Sequence, residues 1–201
     1  MIPKVVVFDL GKVLVDFDYS IAARRIAAHS DLPPAQIRTL IEQSPLIIDY
    51  ESGRLKRSEF FERICQATGY RGTMDEFSGF FADIFTPITP MIELYAKLHH
   101  HGIPTYVLSN TNDLAVEHIR RHFPFFSDFD GYIFSYEIGI MKPDAKIYEA
   151  LEKLAGRRGN EIVYLDDRLE NVHAGAARGW QAILHETPEK SCAVLAEMIR
   201  Q

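Results

Sequence analysis

The stretch VVVFD at positions 5–9 decides the fold of this chain. It holds four consecutive apolar residues, three of them β-branched, and such a short run indicates a strand that is buried on both faces. The run stops at a polar residue, Asp9, and Gly11 then breaks the pattern. Strands of this kind are typical of parallel sheets whose two faces are covered by helices.

Four later segments repeat this design, since each is a short apolar run that stops at a polar residue. They lie at positions 103–108, 132–134, 162–165 and 181–184, and they stop at Ser109, Ser135, Asp166 and His185. Stretches with helical spacing of apolar residues lie between or after them, at positions 91–99, 114–122, 145–154, 170–178 and 191–200. Strands that alternate with helices predict an α/β fold with a doubly wound parallel sheet, a Rossmann-like core.

The region between the first strand and Pro90 has no comparable apolar run. Its patterns instead predict four helices, punctuated by proline and glycine, at positions 21–28, 34–43, 57–68 and 75–85. The proline-rich stretch TPITP at 86–90 is a candidate hinge at the end of this region. We therefore expect a core made of residues 1–17 and 90–201, with a four-helix cap inserted at 18–89.

The composition excludes several classes of protein. The chain has 201 residues, of which 47% are hydrophobic and 25% charged, so it suits one folded core with an insertion and not a disordered chain. Its formal net charge of -6 disfavours a general nucleic-acid binder, and no apolar run reaches the length of a membrane span. The opening stretch MIPK does not suggest a signal peptide, and the distant Cys65 and Cys192 favour free thiols. We expect a cytoplasmic protein without nucleic-acid or membrane partners.

The polar residues at the strand ends are the candidate site residues, because ligands of doubly wound sheets bind beyond the carboxyl ends of the strands. Carboxylates there can hold Mg²⁺, and one of them can attack phosphorus. A lysine and a hydroxyl can hold phosphate oxygens and offset developing charge. The set therefore indicates phosphoryl transfer, and its members are Asp9, Ser109, Asn110, Lys142, Asp166 and Asp167.

Four stretches in chain order resemble the motifs of the haloacid dehalogenase (HAD) superfamily of hydrolases. They are VVFDLGKVL at 6–14, VLSNTN at 107–112, GIMKPD at 139–144 and YLDDRLEN at 164–171. The resemblance covers the whole chain, including a helical cap between the first two motifs. Within the superfamily, DLG at 9–11 and YESGR at 50–54 are similar to the small phosphatases that include bacterial α-D-glucose-1-phosphate phosphatase.

This resemblance implies a role for each matching residue. Asp9 would be the nucleophile, and Ser109 and Asn110 would bind the transferring phosphoryl group. Lys142 would pair with both that group and the Asp9 carboxylate, which limits the repulsion between the two. The catalytic set is therefore expected to be Asp9, Ser109 and Lys142.

The same resemblance implies a metal site and a substrate pocket. Asp9, the carbonyl group of Gly11 and Asp167 would bind Mg²⁺, and Asp166 would bind it directly or through water. Glu51 and Arg54 would line the pocket from the cap, where their polar character suits a sugar. We thus expect a Mg²⁺-dependent phosphatase of a small phosphorylated metabolite, with a sugar phosphate as the first candidate, acting as a monomer or weak homodimer.

One position departs from the pattern of the superfamily. Most of its phosphatases have a second aspartate two residues after the nucleophile, which protonates the leaving group and later activates water. Here that position is Gly11. Three interpretations stay open. In the first, water, the substrate or a nearby group such as Asp16 or Asp18 replaces the missing acid. In the second, the chain is a 2-haloacid dehalogenase, although dehalogenation needs no metal and the intact pair Asp166-Asp167 argues against it. In the third, the chain binds phosphorylated ligands without turnover.

Overall fold

The computed structural model describes residues 3–200, with side chains up to residue 198. The strands within this range are β1 (Val5–Phe8), β2 (Val15–Phe17), β3 (Phe85–Pro87), β4 (Thr105–Ser109), β5 (Gly131–Phe134), β6 (Ile162–Asp166) and β7 (Gln181–Leu184). Five of them form one sheet in the order β5-β4-β1-β6-β7. Every neighbouring pair in that sheet is parallel, which confirms the predicted doubly wound core.

The sheet is buried at its centre, as the continuous apolar runs predict. Strands β1, β4 and β6 are buried along their whole length, whereas the edge strand β7 is partly exposed. Because β1 lies between β4 and β6 and runs parallel to both, the carboxyl ends of these three strands meet at one edge. That edge carries the polar residues that follow the strands.

Helices cover both faces of the sheet. Five helices, α1–α5, lie between β2 and β3, and the core helices that follow are α6 (Thr89–His100), α7 (Asp113–His122), α8 (Ser135–Ile138), α9 (Ala145–Ala155), α10 (Leu169–Ala177) and α11 (Pro188–Arg200). Leu94, Ile119 and Leu195 pack on one face, and Ile147 and Leu151 pack on the other. Among these elements, and elsewhere within residues 3–200, we find no helix that is both long and apolar enough to span a membrane.

A second group of helices lies between β2 and β3, which pair with each other as an antiparallel ribbon. These helices are α1 (Tyr19–Ala27), α2 (Pro34–Gln43), α3 (Pro45–Glu51), α4 (Arg57–Thr68) and α5 (Met74–Ala82). The cap therefore has five helices and not the expected four, because the sequence pattern did not predict α3. It has seven residues, too few to show a helical period, and it begins at Pro45 with a cap from the Ser44 hydroxyl. We refer to α1–α5 as the cap, and its expected limits at 18 and 89 stay a prediction.

The cap has a hydrophobic core of its own, built largely from aromatic rings. Tyr50, near the end of α3, stacks on Phe60 of α4 with ring centres 4.3 Å apart. Phe60 in turn packs against Phe77 and Phe81 of α5. Stacked and edge-to-face pairs of this kind hold helices in a fixed arrangement. The C-terminus of α3 is therefore rigidly placed, and this end of the helix faces the sheet edge described below.

Candidate active site at the carboxyl edge of the sheet

Lys142 lies at the carboxyl ends of β1, β4 and β6, the three inner strands of the sheet. Its ammonium nitrogen lies 2.9 Å from Asp9 Oδ1, directly after β1, and 2.6 Å from Asp166 Oδ2, at the end of β6. It also donates a hydrogen bond to the carbonyl oxygen of Leu108 in β4. Burial lowers the pKa of Lys142, but the two carboxylates more than offset this and the pKa is raised. Lys142 is therefore a buried, charged lysine that connects three strands.

Asp9 combines burial with one carboxylate oxygen that is not engaged. The Leu10 amide donates to Oδ1 at 2.7 Å, and Lys142 contacts the same oxygen. Oδ2 has no hydrogen-bond partner among the described residues. Burial, together with the charges of Asp166 and Asp167, raises the pKa of Asp9 to about 7 against the opposing charge of Lys142. The arrangement leaves Oδ2 available to bind a cation or to attack an electrophile.

Asp166 is fully engaged by donors from the protein. Its Oδ2 contacts Lys142 and accepts a hydrogen bond from the Tyr164 hydroxyl, and its Oδ1 accepts one from the Arg168 amide at 2.8 Å. The side-chain amide of Asn171 adds bonds to both oxygens at 3.0 and 3.2 Å. Burial alone raises the pKa of Asp166, but these contacts, led by the Lys142 charge, lower it below its usual value. Asp166 is thus better placed to hold Lys142 than to bind a metal directly.

The carboxylates of this edge fit a small divalent cation. Asp9, Asp166 and Asp167 each offer an oxygen, and these oxygens lie within 4.8 Å of one another. Three carboxylates face one ammonium group, and burial together with Asp166 raises the pKa of Asp167. Hard cations such as Mg²⁺ take oxygen ligands of this kind and would offset the uncompensated negative charge. Since Asp166 is engaged elsewhere, Asp9 and Asp167 are the side chains that suit direct binding.

Asn110 and Lys142 hold each other in place through two hydrogen bonds. The Lys142 amide donates to Asn110 Oδ1 at 2.7 Å, and Asn110 Nδ2 donates to the Lys142 carbonyl oxygen at 3.0 Å. The expected role of Asn110 in phosphoryl binding rests on its remaining N–H. Ser109, buried at the end of β4, lines a cavity with Gly11 and Asn110. The second motif therefore fixes the lysine of the third motif as well as lining the site.

The same cavity is lined from the cap by Glu51, as expected, together with Tyr19. The structure does not bring Arg54 there, because its guanidinium pairs with Asp49 at 2.7 Å and its side chain is 60% exposed. A larger hollow on the cap, lined by Glu59 and Arg63 among others, includes none of the strand-end residues. Of the two expected cap residues, Glu51 alone lines the cavity.

Asp16 and Asp18, the two carboxylates considered as replacements for the missing acid, are held elsewhere. Asp16 is exposed and pairs with Lys12. Asp18 caps α1, where its carboxylate accepts hydrogen bonds from the Ser20 amide at 2.8 Å and the Ser20 hydroxyl at 2.7 Å. Neither residue lines the cavity. The cap role of Asp18 is a common one for an acidic residue before a helix.

Ser135 is a site-forming residue that the sequence interpretation passed over. Its hydroxyl donates to the carbonyl oxygen of Glu51 at 2.6 Å and accepts from the Thr111 amide at 2.9 Å. It thereby ties the end of α3 to the ends of β4 and β5. The sequence feature that indicates it is its position, since Ser135 directly follows the apolar run at 132–134, as Ser109 follows the apolar run at 103–108.

Comparisons with known proteins agree with this architecture. Residues 3–179 match the family of haloacid dehalogenase-like hydrolases. The chain is similar to the D-ribitol-5-phosphate phosphatase of Bacteroides thetaiotaomicron, with 28% identity over 91% of this chain and 92% of that one. It is also similar to a sesquiterpene phosphatase of Aspergillus oryzae, with 23% identity over 98% of this chain and 96% of that one. A solved HAD family enzyme of Bacteroides thetaiotaomicron, in complex with magnesium and inorganic phosphate, superimposes with a TM-score of 0.81 at 22% identity, covering 90% and 93% of the two chains.

Proposed function

The chain belongs to the haloacid dehalogenase-like hydrolase family, and from its site we propose that it is a Mg²⁺-dependent phosphatase of small phosphorylated metabolites. The observation that carries the proposal is the contact of Lys142 with both Asp9 and Asp166, beside Asp167. A buried lysine between two carboxylates, with a third alongside, suits a dianionic phosphate and a cation together. The names and magnesium complex of the similar proteins support this proposal.

In the proposed mechanism Asp9 is the nucleophile. Its unengaged Oδ2 attacks phosphorus, while the Leu10 amide and Lys142 hold Oδ1 and so fix the direction of the carboxylate. Lys142 and the Ser109 hydroxyl contact the phosphoryl oxygens and offset their charge. Bound Mg²⁺, held by Asp9, the Gly11 carbonyl and Asp167, would supply further positive charge at those oxygens. Water then hydrolyses the aspartyl-phosphate.

The cap favours a small substrate. The cavity between cap and core measures about 60 Å³, well below the roughly 300–1,000 Å³ of most small-molecule pockets. Tyr50 and Arg57 of the cap both contact Asp113 at the start of α7, Arg57 at 2.8 Å, which holds the two parts together. Entry of the substrate therefore requires the cap to open, and its closure excludes bulk water during transfer. A sugar phosphate is the first candidate, and the ribitol-5-phosphate phosphatase adds sugar-alcohol phosphates.

The test is release of inorganic phosphate from sugar phosphates, sugar-alcohol phosphates and nucleotides, with Mg²⁺ and again with chelator. We expect release that depends on the metal and prefers one class of substrate. Release of halide from 2-haloacids without metal would instead support a dehalogenase. Binding of phosphorylated compounds with no release of phosphate would contradict the proposal and support a ligand-binding protein.

A further inference from the structure

The place of the missing second acid is filled by an aromatic ring. Gly11 has no side chain, and a Cβ built at this position would lie 2.9 Å from Cε1 of Phe17. Phe17 lies in β2, and Gly11 itself forms a bridge with Val15 at the start of that strand. No acidic side chain therefore follows Asp9 at the expected spacing. Any acid that serves the leaving group must reach the site from another element.

Glu51 is an acid that reaches this position from the cap. It lines the same cavity as Gly11, Ser109 and Asn110, and the charge of the Asp9 carboxylate contributes to raising its pKa. The Glu51 carboxyl group has no hydrogen-bond or ion-pair partner within residues 3–198. Several other acidic side chains of the cap do have one, among them Asp31, Glu42 and Glu59. Glu51 is thus a partly buried, unpaired carboxyl group in the cavity that Gly11 and Ser109 also line.

We propose that Glu51 is the general acid and base of the reaction, in place of the aspartate that Gly11 replaces. This inference rests on the proposed phosphatase function and adds one catalytic residue to it. The charged neighbours of Glu51 agree with such a role. Burial and, after it, the charge of Asp9 raise the pKa of Glu51 to about 7 against the opposing charge of Arg168. A carboxyl group in such surroundings holds its proton near neutral pH and can both donate and accept it.

The fold holds Glu51 in position from three sides. Tyr50, the preceding residue, stacks in the cap core and its hydroxyl bonds Asp113 of α7. The Glu51 carbonyl oxygen accepts the hydrogen bond from Ser135. After Glu51 the chain turns at Gly53, whose φ of +71° is suited to glycine and whose missing Cβ would overlap the Tyr136 carbonyl oxygen. The backbone that carries the Glu51 side chain therefore contacts both the cap and the core.

The proposed proton transfers balance over the cycle. In the first step the bond from Asp9 to phosphorus forms, the bond from phosphorus to the substrate oxygen breaks, and Glu51 gives its proton to that oxygen. The alcohol leaves. In the second step Glu51, now a carboxylate, takes a proton from water as the water oxygen attacks phosphorus. The bond between phosphorus and Asp9 breaks, inorganic phosphate leaves, and Glu51 is protonated again.

The test compares two leaving groups in the full-length Glu51→Gln variant. p-Nitrophenyl phosphate releases a stable anion that needs no proton, whereas the sugar phosphate that the wild type hydrolyses fastest releases a basic alkoxide that does. We expect kcat/KM for the sugar phosphate to fall by about 10²-fold or more. We expect kcat/KM for p-nitrophenyl phosphate to stay near the wild-type value, because kcat/KM reports only the steps up to the first bond cleavage.

A second readout separates catalysis from substrate binding. Without a base, hydrolysis of the aspartyl-phosphate slows, so Glu51→Gln should give a burst of p-nitrophenolate close to one equivalent per enzyme, followed by slow turnover. A residue that only binds the sugar would give no burst. Glu62→Gln removes the same charge from an exposed position of the cap outside the cavity, and we expect it to behave as wild type in both measurements.

Two results would overturn the inference, and one of them would also contradict the proposed phosphatase function. An equal loss of kcat/KM for both substrates, without a burst, in a protein whose thermal stability is at least that of the wild type, would contradict the role of Glu51 alone. A wild-type protein that hydrolyses neither substrate in the presence of Mg²⁺ would contradict the proposed phosphatase and the role of Glu51 with it.

Discussion

The core and the cap each contribute a carboxyl group to the region of the proposed site, Asp166 fully buried and Glu51 partly buried, but they hold it in opposite ways. In the core, Asp166 accepts hydrogen bonds at both oxygens and shares Lys142 with Asp9. In the cap, Glu51 has no direct partner among the described residues, and its backbone alone is tied down through Ser135. The first arrangement keeps a carboxylate charged, and the second leaves it free to exchange a proton.

One site can in this way hold two carboxyl groups that are suited to two kinds of acid chemistry. Lys142 keeps the pKa of Asp166 low, whereas burial, with no cation in contact with the carboxyl group, raises the pKa of Glu51 to about 7. Groups whose surroundings push their pKa values apart are suited to different steps of one reaction. On this account the core supplies the nucleophile and the binding of charge, and the cap supplies the proton.

The largest expected effect comes from the core. Replacing Asp9 with asparagine removes the attacking oxygen but keeps the size of the side chain. We expect phosphatase turnover to fall by about 10⁴-fold or more, because covalent catalysis is lost. Asp16→Asn is the matched control, since Asp16 is exposed and paired with Lys12 outside the cavity, and its turnover should stay near wild type. Substantial turnover in Asp9→Asn would contradict the assignment of the nucleophile.

Replacing Lys142 tests, through the stability of the protein, whether this lysine holds the carboxylates of the core together. Lys142→Met leaves Asp9 and Asp166 buried without their cation, and removing one partner of a buried ion pair costs about 3–5 kcal/mol. We expect a loss of this size in the free energy of unfolding from denaturant titration at neutral pH. The loss should shrink as the pH is lowered and the carboxylates are protonated. An unchanged stability at neutral pH would mean that Lys142 does not hold this cluster together.

Magnesium should stabilise the protein more at high pH. The pKa of Asp9 is raised to about 7 without the metal, so a proton competes with the cation below that pH. We expect the increase in Tm on adding Mg²⁺ to be larger at pH 8 than at pH 6, with a stabilisation of about 3 kcal/mol when the metal is at 100 times its Kd. Asp167→Asn should reduce the increase at both pH values. An increase in Tm that is independent of pH would argue against Asp9 as a ligand.

Replacing Glu51 should have the smallest effect on stability, and it should stabilise the protein whereas replacing Lys142 destabilises it. Its folded pKa of about 7 lies above the ordinary value of 4.5, so ionisation makes the folded protein progressively less stable as the pH rises from 4.5 to 7. Glu51→Gln removes this cost, and we expect it to be about 1–3 kcal/mol more stable than wild type above pH 7 and equal to it below pH 4.5. Glu62→Gln should show no such pH-dependent gain. A variant less stable than wild type above pH 7 would show that the Glu51 carboxylate has a stabilising partner.

The sequence predicted the core better than the cap, for a physical reason. Asp9, Ser109 and Asp166 each follow a continuous apolar strand, and parallel strands that are neighbours bring their ends together whatever the details of packing. The seven-residue helix α3 has no period of its own and owes its form to the Ser44 cap and to the packing of Tyr50. Its place over the cavity depends on long-range contacts, which local patterns do not contain.

Long-range contacts and turn geometry also explain why the two cap residues expected in the pocket, Glu51 and Arg54 of YESGR at 50–54, lie in different places. Glu51 and Arg54 are equally polar and lie three residues apart, yet the structure brings only Glu51 to the cavity. The turn at Gly53 carries Arg54 away, and Asp49 on the same helix pairs with it. The ionic partner of an exposed arginine is set by the turn geometry, which composition does not specify. Polar character alone could not separate the two residues.

The most direct test of the account is to look for the phosphoryl-enzyme. Glu51→Gln protein is mixed with p-nitrophenyl phosphate and Mg²⁺, quenched with acid during the burst, and its peptides are examined by mass spectrometry. We expect one phosphoryl group on Asp9, at higher occupancy than in wild-type protein quenched at the same time, and none in Asp9→Asn. A phosphoryl group on another residue, or full turnover by Glu51→Gln with no adduct at Asp9, would contradict the account.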